Sequence, residues 1–306
     1  MSEVRTSPVP EKAILVYDVG GSHVAAAICH TDTYQLGPVI TAPHPAEQTS
    51  EAFVHLLHSL GTEASNGANG VSGAGLAVPG PFDLEAGISR MRHKLPFLFG
   101  VNLRQALAER FGWQPAQVTF LNDADAFLLG EITAGAARGV ARAVGITLGT
   151  GIGSAFAVDG RVVTEGPGVP PGGEMWNLSF KDGILEDYVS SRAIQNCYKC
   201  RTGATRRAAE LAASVADDSA AREAFVEFGH HLGRALRCFL TAFAPDVVVL
   251  GGGISHSARL FVPAAESELR GLNFALLISA RLERTALVGA AVSWCHSLTP
   301  QQKIPC

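Results

Sequence analysis

The sequence predicts an α/β protein of two lobes, and three observations predict it. The chain of 306 residues exceeds a typical single domain, and with 47% hydrophobic against 17% charged residues it can bury a large core. Short apolar runs alternate with segments whose apolar residues recur at helical spacing, the pattern of strands followed by helices. A strand, glycine turn, strand arrangement occurs twice, around Gly20-Gly21 and around Gly149 and Gly151, so the chain reads as a diverged duplication.

Residues 1–11 contain proline and no apolar period and are expected to form a loose arm. Residues 13–17 and 24–29 are apolar strands around the turn Asp18-Val-Gly-Gly-Ser22, and residues 34–41 can supply a third strand. Residues 50–60 place Phe53, Leu56, Leu57 and Leu60 on one helix face, residues 62–70 read as a polar loop, and 72–78 return as a strand. In 79–83, two prolines around Gly80 demand a rigid turn, leading into a loop with His93 and Lys94. A helix is expected over 102–111 with Asn102 at its cap.

Residues 143–148 and 154–158 repeat the first hairpin, and Asp159-Gly160 supplies a hairpin turn toward Val162. Residues 166–173, GPGVPPGG, are a loop by backbone chemistry, and Glu174 and Asn177 follow it. Helices are readable at 185–194, 206–216, 220–243, 263–269 and 286–298, with a buried strand at 247–250 before Gly251-Gly252-Gly253.

The net charge of -4, from 24 Lys+Arg against 28 Asp+Glu with no basic block, argues against a nucleic-acid partner. Apolar runs are too short to span a bilayer and the N-terminus lacks a signal pattern, so a soluble cytoplasmic protein without a membrane partner is expected. The six cysteines are scattered and should be reduced thiols; Cys197 and Cys200 have metal-ligand spacing but lack a second Cys/His pair.

The stretch 118–131, VTFLNDADAFLLGE, sets Asn122 and Asp123 where an apolar strand gives way to a helix. Asn122, Asp123 or Asp125 could cap that helix. The glycine turns on either side point instead to chemistry. Phosphoryl transfer from ATP to a hydroxyl needs backbone N–H donors around phosphates, a nearby metal, and a carboxylate that takes the hydroxyl proton. Gly20, Gly21 and Ser22 at one tip and Gly149, Thr150 and Gly151 at the other are the candidate phosphate cradles, and Asp18 is the candidate for holding Mg2+ through water.

The order Asp-x-Gly-Gly-Ser, Pro-Gly-Pro, Asn-Asp-Ala, Leu-Gly-Thr-Gly-Ile-Gly, Gly-Glu, Leu-Glu, Gly-Gly-Gly resembles the ROK family of sugar kinases from about Ile14 to Val292. That resemblance implies the two-lobed, actin-like ATPase fold, a duplicated ribonuclease H-like α/β unit, with lobes at 1–121 plus 288–306 and at 122–287. It implies that Asp123 is the catalytic base, that Asn122, Glu174, Asn177 and Glu186 bind sugar, and that Gly80 brings backbone close to it. Gly251, Gly252 and Gly253 would lie against the adenosine; Asp125 falls where relatives commonly have asparagine. A homodimer is also expected.

The resemblance implies a departure as well. Many members continue with a histidine and then a cysteine run that binds structural zinc, whereas here Asn177 replaces the histidine and residues 178–184 hold no cysteine, so no zinc site is expected. Trp176 could help fill the gap. The leading expectation is an ATP-dependent hexose kinase acting on the 6-hydroxyl, glucose first. The alternatives are fructose, mannose, N-acetylglucosamine or N-acetylmannosamine as acceptor, polyphosphate as donor, or a non-catalytic ROK sugar sensor. A repressor would need an N-terminal helix-turn-helix ahead of the first strand. Sugar binding is expected to close the two lobes over the Asn122-Asp123 strand end.

Overall fold

The structure is a computed structural model that describes residues 13–45, 47–66, 70–280 and 282–298. The expected arm at 1–11 lies outside the described residues. In chain order the elements are β1 (Ala13–Val19), β2 (His23–His30), β3 (Ile40–Pro43), α1 (Ser50–Ser65), β4 (Val71–Val78), β5 (Phe82–Asp83), β6 (Ile88–Ser89), α2 (Leu103–Phe111), β7 (Val118–Asn122) and α3 (Asp123–Ala134). They continue as β8 (Arg142–Leu148), β9 (Ile152–Val158), β10 (Arg161–Val163), β11 (Ser179–Phe180), β12 (Gly183–Ile184), α4 (Leu185–Tyr188), α5 (Ser191–Thr202), α6 (Ala208–Ser214), α7 (Ser219–Phe243), β13 (Val247–Gly251), α8 (Val262–Glu268), β14 (Ala275–Ile278) and α9 (Leu282–Leu298).

The chain divides into two compact units, Met1–Ala134 with Glu283–Cys306, and Gly135–Leu282. The division falls after Ala134, whereas the sequence places it at 121, because α3 belongs wholly to the first unit. There it follows β7 directly, and its backbone meets α9 closely. A Cβ on Gly289 would come within 2.6 Å of the Ala126 carbonyl carbon, and one on Gly130 within 2.7 Å of that of Thr285. Small residues permit that approach.

In the first unit the sheet order is β3-β2-β1-β4-β7, with β1, β4 and β7 parallel and β2 and β3 antiparallel to their neighbours. Its core packs Leu15, Tyr17, Leu76 and Val118 against Phe53, Leu57 and Leu60 of α1 and Leu103 and Leu107 of α2, all buried. Each such burial contributes roughly 1.5–3 kcal/mol. Thr49 caps α1, its side chain accepting from Ala52 N–H at 3.1 Å. The helix runs on through residues the sequence assigns to a loop, because Gly61 is a packing residue and not a stop: a Cβ there would come within 2.7 Å of Leu15 Cδ1.

In the second unit the order is β10-β9-β8-β13-β14, with the same pattern of antiparallel and parallel neighbours. The shared topology agrees with the duplication expected from the two glycine hairpins. Its core joins Ile146, Phe156 and Val248 to the apolar face of α7, including Phe225, Phe228, Leu232 and Leu236. Asp159 and Gly160 have φ of 49° and 77°, the left-handed pair that a tight hairpin requires.

Two local expectations are corrected, and one strand is added. Residues 34–41 do not form one strand: Tyr34 turns with φ of 55°, Leu36 makes a single bridge to Cys29, and β3 begins only at Ile40, after Pro38, which has no N–H to donate. The helix expected over 185–194 breaks at Val189-Ser190, because Ser190 caps a new helix by accepting from Ala193 N–H at 3.2 Å. The strand β14 was not expected from the sequence.

Candidate active site

In the first unit three parallel strands end at one level. Asp18 of β1 is in register with Ala77 of β4, which is in register with Leu121 of β7. Gly20 therefore follows one strand end, Gly80 the next and Asn122-Asp123 the third, which is where open α/β sheets bind ligands. Asn122 Oδ1 and Asp123 Oδ1 both accept from Ala124 N–H at 2.9 Å. The capping reading is thus seen in the structure, and the cap bond fixes the orientation of the Asp123 carboxylate. Asp125 shares the first turn of α3 with Asp123, where acidic side chains complement the helix dipole.

Burial, and after it the charge of Asp123, pushes the Asp18 carboxyl up to about 7. Two carboxylates so placed suit a divalent cation, which would relieve both the burial cost and the repulsion. Asp18 thus fits the Mg2+ expected there.

The hairpin tip beyond Asp18 is held from below. Gly20 N–H donates to His23 O at 2.9 Å, His44 N–H donates to Ser22 O at 2.9 Å, and His44 Nε2 donates to the Gly20 carbonyl at 2.9 Å. The His44 ring is buried between Phe53 and Phe97, with centroids 5.4 and 6.2 Å away, and its Nδ1 has no partner. Gly21 and Ser22 are exposed, and open space surrounds the place a Gly21 Cβ would take.

In the second unit, Gly149 N–H donates to Gly151 O at 2.9 Å, closing the β8–β9 turn around Thr150, and Ser191 N–H at the start of α5 donates to Gly149 O at 2.9 Å. Glu186 lies against that turn: a Cβ on Gly151 would come within 2.8 Å of its carboxyl carbon. Gly252 has φ of 80° and backs onto the end of β8, where a Cβ would meet Leu148 backbone, while Gly251 completes the buried β13 and Gly253 faces open space. The glycines 149–151 and 251–253 thus stand at neighbouring strand ends of one sheet.

Glu174 is held by two residues. Trp176 Nε1 donates to its carboxylate at 2.9 Å. Ser154, buried in β9, donates to Gly173 O at 2.7 Å and accepts from Met175 N–H at 3.0 Å, clamping the backbone on both sides of Glu174. Asn177 is exposed. Neither His44 nor Ser154 is singled out by the sequence, since each acts on backbone about twenty residues away and leaves no local pattern.

Cys197 and Cys200 lie on α5, and Cys197 Sγ is within 2.7 Å of Arg201 Nη1 and 3.4 Å of Glu227. Among the described residues no group of three His, Cys, Asp or Glu side chains could hold a metal ion. No helix among them is long and apolar enough to cross a membrane.

A model of the ROK family matches residues 14–292. The chain belongs to the ROK family. It is 28% identical to a glucokinase of Thermotoga maritima, over 92% of this chain and 97% of that protein. It is 25% identical to an N-acetyl-D-glucosamine kinase of Pectobacterium carotovorum, over 80% of this chain and 85% of that one. The solved ROK hexokinase of Thermus thermophilus superposes with a TM-score of 0.77 at 27% identity, over 92% and 97% of the two chains. The fold is the duplicated actin-like ATPase fold of ROK hexokinases.

Proposed function

We propose that this ROK-family sugar kinase transfers the γ-phosphate of ATP to the 6-hydroxyl of a hexose, with glucose as the first candidate. The observation that carries the reading is the Asp18-Asp123 pair near the end of β1 and just past the end of β7, with the Asp123 carboxylate oriented by a helix amide and the Asp18 carboxyl raised by burial and then by the charge of Asp123. Asp123 accepts the hydroxyl proton as the sugar oxygen bonds to the γ-phosphorus, the bond from that phosphorus to the β,γ-bridging oxygen breaks, and ADP leaves. Asn122 orients the neighbouring hydroxyls, and Gly80 lets backbone approach the sugar. Glu174, held by Trp176 and Ser154, and Glu186 read further hydroxyls, with Asn177 as an additional donor and acceptor.

The hairpin tips at 20–22 and 149–151 offer main-chain N–H groups to the phosphates, and glycines 251–253 admit the adenosine. A Mg2+ near Asp18, when bound, neutralises charge that develops on the transferring phosphoryl group.

A second reading, an N-acetylhexosamine as acceptor, is favoured by the similarity to an N-acetyl-D-glucosamine kinase. The test is a coupled ADP-release assay across glucose, mannose, fructose, N-acetylglucosamine and N-acetylmannosamine, with and without Mg2+, and with polyphosphate as the alternative donor. Glucose should give the highest kcat/KM, with ATP and Mg2+ both required. Release of ADP with no sugar dependence would overturn the reading.

A further inference from the structure

Glu186 lies near the end of the segment 178–188, whose local structure cannot hold itself. Two strands of two residues, β11 and β12, lead into α4, a helix of four residues, far below the length at which a helix is stable alone. Backbone bonds secure the start of α4: Leu185 N–H donates to Leu178 O at 2.9 Å and Glu186 N–H to Trp176 O at 3.0 Å.

The remainder is held from α7 by His231, which is 5% exposed. The rings of Phe180, Tyr188 and His231 meet edge to face in all three pairings, with centroids 5.4, 5.7 and 5.3 Å apart. Apolar packing alone would be served as well by leucine or phenylalanine at 231. The imidazole adds a directed bond: Lys181 Nζ donates to Nε2 at 2.5 Å, and the same ammonium lies 4.9 Å from the centroid of the Tyr188 ring. A lysine ammonium only donates, so Nε2 carries no proton.

We propose that His231 is a positioning residue for hexose binding: it accepts from Lys181, in the turn of the β11–β12 hairpin, and packs edge to face on Tyr188, the last residue of α4, and so sets the Glu186 carboxylate against Gly151. This rests on the reading of Glu186 as a hexose ligand. Accepting from Lys181 needs a neutral ring, and burial and then the Lys181 charge hold the His231 imidazolium below its ordinary range. The other charged and titratable groups around it are Tyr188 from α4, Glu223, Glu227, His230 and Arg234 from α7, and Arg201 from α5. His230 and Arg234 pair with Glu268, and Arg201 pairs with Glu227.

The test compares His231→Leu, which loses the bond to Lys181, with His231→Gln, whose amide oxygen can accept from Lys181. Lys181→Met removes the same bond at an exposed residue and keeps the variant set informative should His231→Leu fold poorly. His231→Leu should raise the hexose KM by about tenfold, the scale of losing a buried hydrogen bond to a charged group, with the ATP KM and the circular dichroism unchanged. Lys181→Met should move the hexose KM in the same direction, and His231→Gln should return it to within about threefold of wild type. As pH falls from 7 toward 5, the wild-type hexose KM should climb relative to that of His231→Gln, which shares every other titrating group. An active wild type whose hexose KM is unmoved by Lys181→Met and by a folded His231→Leu overturns the inference while leaving the kinase reading intact. A wild type that phosphorylates no sugar overturns both.

Discussion

Asp18, near the end of β1, and Asp123, the first residue of α3, are electrostatic neighbours: the charge of Asp123 adds to burial in raising the proton affinity of Asp18. The raised value of about 7 gives Asp18 a defined effect on stability. Its folded-state pKa lies above the unfolded value, so its proton favours the folded state at low pH. That contribution is lost as pH rises from the ordinary carboxylate range through about 7. Asp18→Asn removes the penalty. At pH 8 without ligand the variant should be more stable than wild type by ~1–3 kcal/mol, the order expected for deleting a poorly solvated charge, and the difference should vanish near pH 4. Thermal melts at the two pH values check this, and the same variant should lose Mg2+-dependent turnover.

Ser154→Ala leaves the Gly173 carbonyl and the Met175 amide without their shared partner in a buried site. A loss of ~1–3 kcal/mol in stability is expected. Because that backbone carries Glu174, the hexose KM should rise while the ATP KM stays within a few-fold. Denaturant melts and initial rates measured on one preparation separate the two effects.

His44→Leu should act on the opposite substrate. The variant keeps packing against Phe53 and Phe97 but releases the Gly20 carbonyl, so the tip at 20–22 loses its support from below. The ATP KM should rise several-fold with the hexose KM unchanged. A rise in the hexose KM alone would place the hairpin at the wrong substrate.

The parts of the molecule legible in the sequence are those whose signals are local. The two glycine hairpins stand between apolar runs, the Asn102 cap precedes its helix, and Asp159-Gly160 fits its turn, so each was readable from neighbours in the chain. The break at Val189-Ser190 was hidden because both residues are fully buried and the apolar period continues across them, while the Ser190 cap interrupts the helix without disturbing that period. β14, four residues long, lacks alternation because three of its residues are exposed at the sheet edge. Gly61, just past the expected helix end at 60, serves a close approach to Tyr17, which no local rule reveals. His44, Ser154 and His231 are invisible for a related reason: their partners are backbone atoms or side chains brought near by the tertiary fold.

The central claim is that Asp123 is the base and not simply the cap that its bond to Ala124 would allow. Asp123→Asn keeps a side-chain oxygen for that amide and cannot accept the hydroxyl proton. The decisive measurement is kcat for the preferred hexose in this variant, alongside calorimetric hexose affinity. The account predicts affinity within a few-fold of wild type and kcat lowered by ~10²–10⁴, the usual loss for a positioned base. Turnover within a few-fold of wild type would contradict it and leave Asp123 a helix cap.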